Sequence, residues 1–304
     1  MRHSSESARG LRPGVTLIEL VFGLVIVAIV AGGLIKLLTT QGRFADTQEA
    51  YRGSRSVSRD AFNIMMTDLR MVQDTLAIQK ASPDTITVRV PYAYGIVCGT
   101  TASVTTVSLV PADSALQALA TYGGVAYRDS ASGVFQFSVK SPGGVATPSS
   151  LLQQQACTDS VSGPGISLVS YRGRPGYFVS IVQAAGTLTP ISGALPGNPM
   201  FMWQEITYAF GPSTAYGSST RGLYRIVTGG STDEIIAPFD TSAHFRFFVL
   251  NNDTSQVLAP NNLNTIRGLD LRLNARSPRV PQGSTEPKLS KVMTAVYFKN
   301  RRDP

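Results

Sequence analysis

"RPGVTLIELVFGLVIVAIVAGGLIK" occupies residues 12–36, and its reading decides how the rest of the chain is to be understood. Residues 15–38 are apolar except for Thr16, Glu19 and Lys36, with glycines at 23, 32 and 33. About 20 such residues suffice to cross a bilayer core as a helix. Residues 1–14 carry Arg2, Arg9 and Arg12 against Glu6 and contain no apolar stretch. The segment is a membrane-crossing or membrane-targeting element.

Three readings compete for it. An ordinary secretory signal would be cut after the apolar run. "IVAGG" (29–33) offers Ala31 but no clean A-x-A, and the run exceeds a usual signal core. A plain single-pass anchor is the second. Its orientation is not settled by loop charge, because Lys36, Arg43, Arg52 and Arg55 follow the span much as three arginines precede it. The third is a leader cut before the apolar run, between Gly14 and Val15.

Glu19 bears on the choice. A carboxylate within a membrane helix costs about 2.5–3.5 kcal/mol at the centre and less near an end. A signal or plain anchor gains nothing from it, although a residue this early can reach the interface. Cleavage after Gly14 would make Val15 the N-terminus and Glu19 the fifth residue. A free ammonium on one copy could then neutralise the carboxylate on a neighbour inside a low-dielectric helix bundle, drawing subunits into register.

The residues "G-VTLIEL" resemble the processing site of type IV prepilins: a Gly, a hydrophobic residue, then T-L-I-E and a long apolar run. The resemblance implies cleavage by prepilin peptidase between Gly14 and Val15, N-methylation of Val15 and an assembly charge pair through Glu19. Val15 departs from the family's usual Phe. "RDAFNIMMTDLRMVQ" (59–73) is similar to the helix end of minor pilins and pseudopilins. "ITYAFGP" (206–212), "GLYRIV" (222–227), "IIAPFDTSAHFRFFV" (235–249), "LDLRLNARS" (269–277) and "VMTAVYFKNR" (292–301) resemble successive pieces of PilW-type minor pilins and J-type pseudopilins. The likeness covers 15–80 and 200–301, and hardly touches 84–199.

Periodicity gives the architecture. After Pro13 the next proline is Pro83, so nothing between them forces a helix to stop. A helix of some 65 residues, about 100 Å long, is expected, continuous or gently kinked at Gly32, Gly33, Gly42 and Gly53. Phe62, Met65, Leu69, Val72 and Leu76 share one helical face and read as core. The more polar 39–58 reads as a neck. From Thr85 the period switches to two, and "TITVRV" (85–90), "SVTTVSLV" (103–110), "VFQFSVK" (134–140), "GYFVSIV" (176–182), "MFMWQEITYAF" (200–210), "GLYRIVT" (222–228), "HFRFFVL" (244–250), "IRGLDLRLNA" (266–275) and "VMTAVYFK" (292–299) read as strands. The class is α+β and pilin-like: a long N-terminal helix packed on a C-terminal antiparallel sheet. The expected division is a leader at 1–14, a membrane and assembly helix at 15–38, a neck and amphipathic helix at 39–80, and a β-rich domain at 81–304. Residues 111–165, rich in Ala, Ser and Gly, are expected to be a looped insertion.

Composition narrows the function. The chain has 304 residues, 43% hydrophobic and 15% charged, which excludes wholesale disorder. The net charge of +8 invites a nucleic-acid reading. Its basic residues are scattered, however, and no RNA-binding or zinc-finger pattern accompanies them, so nucleic acid is not the expected partner. Two cysteines, Cys98 and Cys157, are too few for a zinc site. They are either one disulfide of an exported protein, closing about 60 residues for roughly 4 kcal/mol at most, or two unrelated thiols. No catalytic constellation is present: no G-x-S-x-G, no Walker loop, no H-E-x-x-H. His244 stands alone outside the leader. Asp233, Glu234, Asn251 and Asp253 could meet a calcium ion, but their spacing fits turns better. Trp203, Tyr208 and Tyr224 read as strand aromatics. No cofactor or metal is expected.

The resemblance implies a minor pilin, a structural subunit that primes assembly of a type IV pilus together with other minor pilins and the major pilin. It would sit in a bacterial inner membrane with its domain in the periplasm before entering a filament at the cell surface. A J-type pseudopilin of a type II secretion system and an anchored β-rich binding module are the alternatives.

Overall fold

A computed structural model describes residues 16–72, 75–100, 104–129, 133, 135–140, 144–148, 177–182, 194–250 and 252–298. The apolar run and the neck form one unbroken helix, α1 (Leu17–Leu69), of 53 residues. At 1.5 Å per residue it is about 80 Å long. Gly32, Gly33, Gly42 and Gly53 all lie inside it, and isolated glycines lower helix propensity without stopping a helix.

The helix ends earlier than periodicity predicts. Met65, Leu69 and Val72 are buried and Phe62 is partly buried, as expected of a core face, but Leu76 is 43% exposed and lies beyond α1. Residues 78–80, the end of the expected helix, instead belong to β1 (Ile78–Ser82). A tight turn at Pro83 and Asp84 returns the chain into β2 (Thr85–Thr100), with Ser82 opposite Thr85 and Ala81 opposite Ile86. Sheet pairing wins over a local helical period that had no proline to break it.

The remaining strands are β3 (Val104–Leu109), β4 (Gly124–Arg128), β5 (Phe135–Val139), β6 (Val145–Pro148), β7 (Tyr177–Val182), β8 (Pro199–Ser213), β9 (Gly217–Val227), β10 (Thr232–Phe239), β11 (His244–Val249), β12 (Ile266–Arg276) and β13 (Leu289–Tyr297). A short helix, α2 (Ser114–Leu119), precedes β4. Every pairing among the described residues is antiparallel. The main path runs β11-β12-β10-β9-β8-β2-β3-β7-β6, with β13 beside β12, β1 beside β2, and β4 between β5 and β8.

Among the described residues the two larger core clusters share β2 and β8, and a small third one gathers Ala126, Phe201 and Trp203. The first lies under α1, where Met65 and Leu69 meet Ile86, Ile206, Phe245 and Leu271. Full burial of such a side chain contributes about 1.5–3 kcal/mol. The second lies beyond a bulge at Pro91/Ala93 of β2 and gathers Val97, Val107, Val125, Val179 and Met202. Pro91 has no N–H for the ladder, which suits it to such a break.

Residues 111–165, expected to be a looped insertion apart from the strand at 134–140, supply α2, β4 and β6 besides that strand, β5, among their described residues. The glycines that suggest a loop there have a packing reason. A Cβ on Gly123 or Gly124 would fall 2.6 or 2.5 Å from the buried Trp203 ring, so both residues let β4 approach β8. The neck is also more engaged than its polarity suggests. Ala50, Ser54, Ser58 and Ala61 are buried and continue into Met65 and Leu69 at steps of three and four. Their small side chains bring the helix backbone close to β12, and the Ser58 hydroxyl donates to the Leu273 carbonyl at 2.9 Å.

Candidate functional site

The N-terminal turn of α1 is built by the residues that the sequence singles out. Thr16 is the N-cap, in extended conformation, and its side chain accepts from the Glu19 N–H. Glu19 reaches back, its Oε2 accepting from the Thr16 backbone N–H at 3.1 Å and from the Thr16 hydroxyl at 3.1 Å. This is a reciprocal capping box, which satisfies donors that a helix start otherwise leaves unpaired and sets a negative charge at the positive end of the helix dipole. Its signal in the sequence is T-x-x-E ahead of an apolar run, which membrane cost and charge pairing at Glu19 do not reveal. Among the described residues Glu19 has no ion-pair partner. Gly14 and Val15, the expected cleavage and methylation positions, lie outside the described residues.

Beyond the cap, the apolar residues point outward on every side. No residue from 16 to 45 is buried or half-buried, and Leu17 is 84% and Ile29 70% exposed. α1 is the helix, among the described residues, long and apolar enough to cross a membrane by length and composition. The Arg43 side chain lies against Gly283, and burial of α1 against the domain begins at Asp46. Arg279, in the connection between β12 and β13, pairs with Asp46 at 3.0 Å and Glu49 at 2.6 Å, and the Gln282 N–H donates to Asp46. Pro278 packs beside Gly53, where a Cβ would lie 3.2 Å from the proline ring.

At its far end the helix is fastened by Asp68. Tyr208, fully buried on β8, donates its hydroxyl to Asp68 at 2.6 Å, and Arg225 of β9 donates at 3.2 Å. Burial, then the adjacent Asp68 charge, push the Tyr208 phenol well above its ordinary range. Burial works to lower the Arg225 guanidinium, but Asp68 outweighs it and the net shift is upward. Arg225 thus offsets a carboxylate placed at the helix end where the dipole disfavours it. Asp68 falls off the apolar face in the sequence, and nothing local identifies it as the link to the sheet.

The other candidate residues have structural surroundings. His244 lies on β11 with Nδ1 2.7 Å from the Ser242 carbonyl. Glu234 accepts from the Ser213 hydroxyl at 2.6 Å and the Thr214 N–H at 2.8 Å, bracing the β8–β9 turn. Burial would raise this carboxyl, but those hydrogen bonds prevail and hold it below its ordinary value. Asp253 pairs with Arg267 at 2.7 Å, and Asn251 lies outside the described residues. Asp233 belongs to β10. No group of three or more His, Cys, Asp or Glu is placed to hold a metal among the described residues. Trp203 and Tyr208 are core, and Tyr224 donates its hydroxyl to the Pro212 carbonyl. Cys98 is buried on β2 and disulfide-bonded, while Cys157 lies outside the described residues. Comparison with models of protein families, with curated proteins and with solved structures yields no match for the chain.

Proposed function

We propose that the chain is a structural subunit of a type IV pilus, a minor pilin that primes or caps assembly. It is made as a bacterial inner-membrane precursor with a periplasmic domain. Prepilin peptidase cuts it between Gly14 and Val15, and Val15 is N-methylated. The observation that carries this reading is the form of α1. The same unbroken helix is bare and apolar from Leu17 to Leu38, then packs its other end into the domain core. Such a helix can exchange lipid for the equivalent helices of other subunits while the domain rides along unchanged. In lipid, and equally in a helix bundle, the α-helix satisfies its own backbone.

Glu19 fits the reading in a specific way. Its carboxylate is held at the extreme end of the helix by Thr16 rather than buried in the domain, which leaves it exposed for the proposed pairing with a neighbour's N-terminus. Its partners would be prepilin peptidase, other minor pilins and the major pilin. A J-type pseudopilin of type II secretion uses the same maturation and is the second reading. An anchored binding module needs neither cleavage nor the charge.

The deciding experiment is the N-terminal sequence and intact mass of the protein from a host that carries prepilin peptidase. A start at Val15, heavier by one methyl group, is expected. A start near Gly32, or retention of Met1, would overturn the proposal and leave a secreted or anchored domain.

A further inference from the structure

On the sheet, arginines generally face one carboxylate each. Arg276 pairs with Asp240, Arg221 with Asp84, and Arg225 with Asp68. The outward face of β11, β12 and β13 departs from this. There a groove of about 360 Å³ is lined by His244, Arg246, Arg272, Asn274 and Lys291, with Met293 on its rim. One carboxylate, Asp270, serves both arginines. Arg272 donates to it through Nε at 3.1 Å and Nη2 at 2.8 Å, and Arg246 stands 3.8 Å away. Asp270 Oδ2 also accepts from the Ser255 hydroxyl at 2.6 Å, so three hydrogen bonds converge on that one oxygen.

The cations around it are therefore under-compensated. Two arginines against one aspartate leave one positive charge, and Lys291, which has no ion pair among the described residues, adds a second. The remaining Arg272 donor, Nη1, faces the Met293 sulfur, a weak acceptor. The register brings these groups together. His244 is directly opposite Arg272, and Lys291 is opposite Asn274, one rung pair along. Cross-strand neighbours of opposite charge stabilise a sheet, and neighbours of like charge cost stability. The Ser242 carbonyl can only accept, so His244 donates to it through Nδ1.

We propose that this groove binds a phosphate dianion, free or as a small phosphate monoester. Two surplus positive charges match the charge of a phosphate near neutral pH. Arg272 Nη1 and the Lys291 ammonium supply strong charge-assisted donors to its oxygens. The site is on the face of the sheet opposite α1 and does not depend on how the N-terminal helix is processed or assembled.

The test is calorimetry of the full chain in detergent micelles at low ionic strength, titrated with inorganic phosphate and separately with glucose 6-phosphate. Saturable one-to-one binding is expected, weakening as salt is raised. K291E should lower affinity at least tenfold and K291Q severalfold. K80E, which reverses an exposed lysine on β1, should leave it within twofold and controls for net charge. The two ligands separate the sources. Tighter binding of the ester identifies an organic phosphate that uses the Met293 rim, and equal binding identifies the free ion. No saturable binding of either ligand, undiminished binding by K291E and K291Q, or an equal loss in K80E would each overturn the proposal.

Discussion

Two roles for Glu19 predict different variants to fail. In the capping role its carboxylate accepts from Thr16, and a glutamine at the same position can do the same. E19Q then keeps the box and loses only the interaction of a charge with the helix dipole, about 0.3–1 kcal/mol. E19A and T16A lose a cap, about 0.5–2 kcal/mol each. In the charge-pair role the carboxylate neutralises an ammonium on the next subunit. Removing one partner of a buried pair costs about 3–5 kcal/mol, or between two and four decades in an equilibrium constant. E19Q is then as damaging as E19A, and T16A is mild. The assay is the ratio of subunit in sheared filaments to subunit left in the membrane, by quantitative immunoblot in the native host. We expect E19Q to fall at least 100-fold and T16A less than 30-fold. Incorporation of E19Q within fivefold of wild type, with E19A and T16A both reduced more than E19Q, would refute the charge pair and leave the capping box as the whole reason for the residue.

Three further predictions concern how the helix and sheet hold together. Ser58 is fully buried against β12, so S58L overfills a close helix–sheet contact and should cost about 1–3 kcal/mol, read as a lower midpoint in urea. Y208F removes a hydrogen bond to a carboxylate and should cost about 1.5–3 kcal/mol at neutral pH. Because the phenol is raised in the fold, its contribution is complete below pH 10 and is lost as pH rises above that. Stability of Y208F should therefore fall less steeply in alkaline titrations. For Asp240, burial raises the carboxyl but hydrogen bonds from Ser242 and Arg276 prevail and depress it. Its contribution is present above the unfolded value of about 3.9 and lost as pH falls through the lower folded value. D240N should lose stability at pH 7 and show a flatter decline below pH 4, followed by circular dichroism.

The parts of the fold that could be read in the sequence are those whose pattern is local. The apolar run, the core face through Met65 and Leu69, and strands such as β8 and β12 declare themselves by composition and period. What the sequence hid depends on residues far away. β1 reads as helix because Leu76 continues the spacing, and only pairing with β2 makes Ile78 a strand residue. β4 reads as loop because Gly123 and Gly124 are loop-formers in isolation, whereas their missing side chains make room for Trp203, some 80 positions on. Asp68 looks like an ordinary solvated charge until Tyr208 and Arg225 come to it from two strands. At the start of α1 the obstacle is of another kind. The T-x-x-E box was in plain view, but a glutamate in an apolar run invites an explanation by charge before one by backbone hydrogen bonding.

The two ends of α1 require opposite properties of the same helix, and the side chains divide the work at Asp46. From Leu17 to Leu38, apart from Glu19 and Lys36, apolar residues face outward all round, so any rotation of that stretch presents much the same surface to lipid or to other helices. After it, small residues at Ala50, Ser54, Ser58 and Ala61 fix one face at close range to β12, and larger ones at Met65 and Leu69 fill the core beneath. Arg279 on Asp46 and Glu49 ties the helix near the start of its buried stretch, and Tyr208 with Arg225 on Asp68 ties it near the end. From Asp46 to Asp68 is a step of 22 positions, roughly 33 Å of helix. A lever held at two points so far apart can transmit a pull or a lift from its bare end without turning against the domain. That rigidity is what a subunit drawn from a membrane by its helix would need, and a merely tethered domain would gain little from it.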